Sequence, residues 1–206
     1  YGLNASGRAP KGLSYEEMTE RSGGKIPPFS ALAVSVPGAV DGWFMLHDRF
    51  GKLPMRDVLA PAIRYAREGS PVPQTIAYYW DRNRIRLERA FEEGMLEEID
   101  NARATYWPTG RAPAEGELFF NDDLADTYEL LAEGGRDAFY KGEIALTVDA
   151  YMRRIGGPLR YADFAKHTSD WVEPLSVTYR GVQVFQLPPN TQGVAALQML
   201  QMLERF

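Results

Sequence analysis

The chain has 206 residues, and its 23 Lys and Arg against 28 Asp and Glu give a formal net charge of -5. Hydrophobic residues make up 45% and charged residues 25%, the balance of a globular chain with a real core, and the acidic excess argues against broad affinity for nucleic acid or anionic membrane. Cys is 0, which excludes disulfides, thiolate metal sites and a Cys nucleophile, while leaving the compartment open between cytoplasm and periplasm or exterior.

No apolar run reaches the ~18 residues that a membrane span needs. Tyr1 stands first with no signal-peptide pattern after it, and 194–206 reads as an apolar helix without a stop. Both ends are expected to be cuts in a longer chain. The organisation expected is a single domain over 1–206: a loop-rich start over 1–30, a mostly helical stretch over 31–174, and a hairpin plus helix over 175–206.

Glycines and prolines crowd the first thirty residues, with room for one helical turn at 14–21. The apolar run 31–36, closed by Pro37 and Gly38, predicts a buried strand. Ala39–Phe50 places Val40, Trp43, Phe44 and Phe50 on one helical face, which predicts deep burial of Trp43. Met55, Val58, Leu59, Ala62, Ile63 and Ala66 follow helical spacing up to Gly69, and Pro61 either kinks that helix or opens a second one. A charged helix follows over 74–93, then a loop over 105–117. Asn121 is a good N-cap, with Asp122 and Asp123 in the first turn and Gly134-Gly135 as the stop. Further helices are expected over 142–155 and 161–166. Leu175–Tyr179 and 182–187 alternate around Arg180-Gly181, the clearest hairpin signal in the chain. Gly193 begins the last helix. The fold class is α+β, with helices 39–50, 55–68 and 121–155 packed on one another and the hairpin and strand 31–36 in a sheet covered by helices.

Chemistry is harder to place. His47 has charged neighbours on a helix, and His167 sits at a helix end, where a protonated imidazole would complement the dipole. Neither has metal-ligand spacing. Glu97, Glu98 and Asp100, or Asp122 and Asp123, could form a glycosidase pair, but they read as a solvated face and a helix start. The Gly pairs 23–24, 134–135 and 156–157 lack phosphate-loop context. Two loops stand out. NASGRAP (4–10) carries Arg8 among small polar residues, where a guanidinium can fork a carboxylate. PPNTQG (188–193) joins a strand to a helix and offers Asn190, Thr191 and amides at a helix N-terminus.

Six segments then run in one order: VPGAVDGWF from Val36, FGKLP from Phe50, LAPAIRYAREG from Leu59, GGRDAFYKGEIA from Gly134, YRGVQVF from Tyr179 and LPPNTQGVAALQ from Leu187. Together they resemble the large-subunit portion of gamma-glutamyltranspeptidases, over nearly the whole chain. The resemblance implies a four-layer αββα N-terminal-nucleophile hydrolase fold, of which the helices above would be a satellite layer. It implies a precursor that cleaves itself into large and small subunits, the small subunit being this chain's partner. The new N-terminal Thr attacks an amide, its own amine acting as base, and the acyl group passes to water or an amine. That Thr is expected beyond Phe206, so no catalytic residue is expected in this chain, and Thr191 is not the nucleophile. No metal and no cofactor are implied. Family members that cleave glutathione read R-E-x-A-P in the first loop, and that Arg grips the donor carboxylate. Here Ser6 stands at its position and Arg8 two residues on, while Asn190-Thr191 replaces a Ser-Ser pair. Arg8, Ser6, Asn190 and Thr191 are therefore the expected substrate-binding residues, as in a transpeptidase-like branch acting on gamma-glutamyl or related amides. A non-catalytic helical binding module that kept the scaffold is the alternative.

Overall fold

The computed structural model describes residues 1–206. Strand β1 (Gly2–Asn4) is followed by α1 (Tyr15–Ser22), whose first turn is capped by the Ser14 side chain accepting from the Glu17 amide. Next come α2 (Ala39–Phe50) and α3 (Met55–Glu68), the latter running unbroken through Pro61. Then follow β2 (Ser70–Pro71), α4 (Gln74–Glu92), α5 (Asp100–Tyr106) and β3 (Leu118–Phe119). The second half holds α6 (Asp122–Tyr140), α7 (Glu143–Arg154), α8 (Tyr161–Ala165), β4 (Asp170–Val172), β5 (Leu175–Tyr179), β6 (Val182–Gln186) and α9 (Gly193–Leu203). No helix is long and apolar enough to cross a membrane.

Helices dominate and pack as the sequence predicts. Val40, Leu59, Leu131, Tyr140, Ala145, Met152, Leu159 and Phe164, from α2, α3, α6, α7, α8 and the approach to α8, share one core. Burial of this apolar surface is the main favourable contribution to the fold. The Asn121 side chain accepts from the Leu124 amide at 3.0 Å, as expected of the N-cap. Gly134-Gly135 ends the regular run of α6, as expected, and a second helical stretch follows directly. Gly135 sits at φ 67, ψ -164, and the helix resumes as the turn that carries Arg136 and Tyr140.

Three expectations fail. The run 31–36 is not a strand: Ala31–Ala33 forms a 3-10 turn. The Ser30 hydroxyl accepts from the Leu32 amide, and the Glu97 carboxylate accepts from the Ala31 amide, so side chains claim the donors that a ladder would need. The run's apolar character is still used, because Ala31, Leu32 and Val36 are buried. Trp43 is 40% exposed, not deeply buried. Only the first turn of α2 (Val40, Asp41, Gly42) is buried, and the helix then leads outward. Trp43 lies against Tyr128 across an open groove that Phe50, Met55 and Val58 also line. Finally, 175–187 does not share a sheet with 31–36.

The strands instead make three two-stranded antiparallel sheets, β1 with β4, β2 with β3 and β5 with β6. In the last, Val177 faces Val184 and Tyr179 faces Val182, so Val182 and Val184 share one face, as period-2 alternation requires. Arg180 and Gly181 both have positive φ, 49° and 79°, the backbone of a two-residue turn that matches strand twist. Helix α9 packs against this hairpin.

Candidate functional site

The pairing of β1 with β4 sets the stage. Asn4 lies opposite Asp170, so the first loop leaves the sheet beside the end of β4. The Asn4 side chain shapes that loop, accepting from the Ser6 amide at 3.0 Å in an Asx turn. Its amide nitrogen donates to Asn190 Oδ1 at 3.2 Å, tying the first loop to the second across 186 residues. Ser6 and Asn190 are both exposed along this rim. Thr191 stays within its own loop: its hydroxyl donates to the Leu187 carbonyl at 3.3 Å and accepts from the Gly193 amide at 3.4 Å, shaping the start of α9.

Arg8 points another way. Its Nη2 donates to Asp170 Oδ2 at 3.1 Å, and the two side chains are 62% and 61% exposed. The structure thus joins Asn4, Ser6 and Asn190 around one contact and sets Arg8 in an ion pair along β4.

The floor under the first loop is backbone. Gly7 and Gly38 lie so close to the opposing chain that a Cβ would fall 1.5 Å from the Val36 carbonyl oxygen and 1.8 Å from that of Ala5. The Val36 amide donates to the Arg8 carbonyl at 3.0 Å. Glycine at 7 and 38 is what permits this contact.

Behind that floor lies a buried polar cluster that the sequence reading missed. Asp41 is 2% exposed and accepts from Arg136 Nε and, at 2.5 Å, from the Ser169 amide. Burial pushes the Asp41 carboxyl up, but the hydrogen bonds from Ser169 and Arg136 outweigh it and hold the group below the usual carboxylate range. The Arg136 guanidinium also donates to the His167 carbonyl and lies 4.6 Å over the Tyr140 ring. Burial pushes the Tyr140 hydroxyl up to about 12, so it remains a neutral donor. His167 stacks on Tyr140 at 5.2 Å with both ring nitrogens unpartnered. It does not serve as the protonated helix-end group expected, because burial pushes its imidazole below the ordinary 6.5 and keeps it neutral. The signal available was a charge inside the apolar run VPGAVDGWF and an Arg directly after Gly134-Gly135; a side-chain pair 95 residues apart is not visible from either alone.

Of the remaining candidates, all but Asp123 have structural partners. His47 Nε2 contacts the Leu53 carbonyl at 2.7 Å. Glu97 holds Ser30 and Ala31, Glu98 pairs with Arg154 at 2.5 Å, and Asp100 pairs with Arg103 at 3.1 Å. Asp122 lies 3.5 Å from Arg67, which also binds Asp126 and Glu129 and so joins α3 to α6. No three His, Asp or Glu side chains converge as a metal-binding group would.

The chain is similar to known proteins along its whole length. The family model described as gamma-glutamyltranspeptidase matches residues 1–206. A glutathione hydrolase-like proenzyme of Bacillus subtilis is 34% identical over 98% of this chain, and the chain spans 37% of that proenzyme's length. A glutathione hydrolase proenzyme of Escherichia coli is 32% identical over 86% of the chain, covering 29% of its own length. Among solved structures, a cephalosporin acylase from Bacillus halodurans superposes with a TM-score of 0.91 at 40% identity, over 99% of this chain and 38% of that one. The mixed helix-and-strand architecture is that of the N-terminal-nucleophile hydrolases among these structures. The chain belongs to the gamma-glutamyltranspeptidase family.

Proposed function

We propose that this chain is the large-subunit platform of an N-terminal-nucleophile amidohydrolase or acyltransferase. The hydroxyl of a Thr at the N-terminus of the small-subunit portion attacks an amide carbonyl, with its own amine taking the proton. The C–N bond breaks, the amine leaves with that proton, and the acyl-Thr ester passes its acyl group to water or to an acceptor amine. The observation that carries the reading is the bond between Asn4 and Asn190, which couples the two loops that the family resemblance assigns to substrate.

Within this reading Ser6 and Asn190 are neutral hydrogen-bonding groups at the donor, Thr191 shapes the second loop, and Arg8 is the charged group of the first loop. Ser6, at the position of the family's Arg, cannot fork a carboxylate. Arg8 is engaged by Asp170, so a donor carboxylate must compete with that partner. The arrangement therefore favours amides in general over gamma-glutamyl donors in particular. The test is the intact precursor. It should resolve into two bands on a denaturing gel, and it should turn over neutral amides at least as well as gamma-glutamyl-p-nitroanilide. A single uncleaved band with the downstream Thr intact sinks the reading.

A further inference from the structure

The buried cluster behind the first loop makes contacts that a simple core would not need. The Tyr140 hydroxyl donates to the Pro37 carbonyl at 2.8 Å and accepts from the Asp41 amide at 3.0 Å. Asp41 binds the Ser169 amide, and Arg136 binds both the Asp41 carboxylate and the His167 carbonyl. Three side chains of the helical layer thus grip the backbone of two separate segments. The first, 36–38, is the surface on which Ala5, Gly7 and Arg8 lie. The second, 167–169, leads into β4, which pairs with β1 opposite Asn4 and holds Arg8 through Asp170.

We infer that Asp41, Arg136 and Tyr140 are positioning residues, which fix the first loop to the helical layer from below and so set where Asn4 and Ser6 stand relative to Asn190. The inference rests on the acyl-transfer reading for its functional consequence, though not for the clamp itself. A buried ion pair adds little stability over well-packed apolar side chains. A polar network in which the binding groups are satisfied does rigidify the segments it holds. Here the held segments are the two that carry the loop. His167 contributes differently: its ring packs on Tyr140 and under Gly38 and makes no hydrogen bond, so it fills the clamp without closing it.

The test uses the full-length precursor with Tyr140→Phe, which keeps the ring and removes both hydrogen bonds. Leu131→Ala is the control, since Leu131 lies in the same core and touches neither segment through a polar group. In Tyr140→Phe the Val36 and Asp41 amides should exchange with solvent about tenfold faster than in the wild type, beyond any change shared with core amides remote from the clamp, the effect of losing one buried hydrogen bond. Self-cleavage should proceed as in the wild type. KM for a donor amide should rise about tenfold while kcat changes by less than about twofold. The control should lose stability with KM unmoved. Equal KM shifts in the two variants, or Val36 exchange unchanged in Tyr140→Phe, overturns the proposal. Should Tyr140→Phe not fold, Arg136→Lys serves instead; its ammonium cannot span Asp41 and the His167 carbonyl together, and the same exchange and KM changes are expected. If the wild type itself turns over no amide, the acyl-transfer reading fails, and Val36 exchange alone decides whether the clamp exists.

Discussion

Gly38 presses directly on Ala5: a Cβ at position 38 would lie 1.8 Å from the Ala5 carbonyl oxygen and 3.1 Å from His167 Nε2. Both neighbours are held, one by the first loop and the other by the buried cluster, so neither can give way cheaply. Gly38→Ala should cost about 3 kcal/mol or more, at the upper end for overpacking. Gly12→Ala, where nothing lies within 4 Å, should stay within about 0.5 kcal/mol. Urea unfolding midpoints of the two variants check the contrast, and similar midpoints would show that the floor of the loop is soft.

The exposure of Trp43 sets a second expectation. A fully buried Trp costs about 3–5 kcal/mol when cut to Ala. Trp43 is 40% exposed and has its contact with Tyr128 on one side. Trp43→Ala should therefore cost about 1–2 kcal/mol, less than Leu131→Ala, whose side chain is buried at 1% exposure. Thermal unfolding of both variants side by side decides the order.

Stability should fall with acid in two stages that the buried cluster helps to set. His167 faces Asp41, Tyr140 and Arg136, with Arg8 and Asp170 further off, and burial holds its imidazole below 6.5. Between its folded value and 6.5 the unfolded chain binds a proton that the folded chain does not. His167 therefore leaves stability undiminished above 6.5 and erodes it as pH falls below that value. Asp41 works lower down. Its folded carboxyl titrates below 3.8, so it contributes stability that is present above 3.8 and lost as pH falls further. His167→Gln should flatten the first decline and leave the second. Urea midpoints from about pH 7.5 to about pH 3 test this, and an unchanged slope below 6.5 in His167→Gln would remove His167 from the account.

Arg8 should matter for substrate and hardly at all for folding. Its ion pair with Asp170 is exposed on both sides, so Arg8→Ala should change stability by no more than about 0.5 kcal/mol. In the intact enzyme, loss of a charge-assisted contact worth about 1.5–3 kcal/mol should lower kcat/KM for anionic donors roughly ten- to hundredfold and leave neutral amides nearly unaffected. Arg8→Lys should restore part of the loss. Equal losses on both donor types would assign Arg8 to loop structure.

What the sequence disclosed follows from the range of the forces involved. Local signals were reliable: the Asn121 cap, the Arg180-Gly181 turn and the spacing from Met55 to Ala66 all produced the elements they indicate. The ordered motifs include the second loop, and the Asn4–Asn190 bond joins it to the first. Misreadings came where a distant group intervened. Glu97 turns 31–33 into a 3-10 turn from 66 residues away, and the outward course of α2 leaves Trp43 half open. The Asp41–Arg136 pair depends on where α6 bends, which a hydrophobic pattern does not encode.

That bend has a stereochemical consequence. At φ 67, ψ -164 Gly135 occupies backbone space that L-residues avoid, yet no atom stands within 4 Å of where its Cβ would be. The position therefore discriminates by handedness and not by size. Its mirror image, φ near -67 and ψ near 164, is ordinary extended backbone for an L-residue, so a D-alanine introduced there by semisynthesis meets no torsional strain. It should tighten the turn that delivers Arg136 and Tyr140, by roughly the 0.4–1 kcal/mol gained when a glycine's unfolded freedom is removed. L-alanine at the same place should open the bend and withdraw both side chains from Asp41.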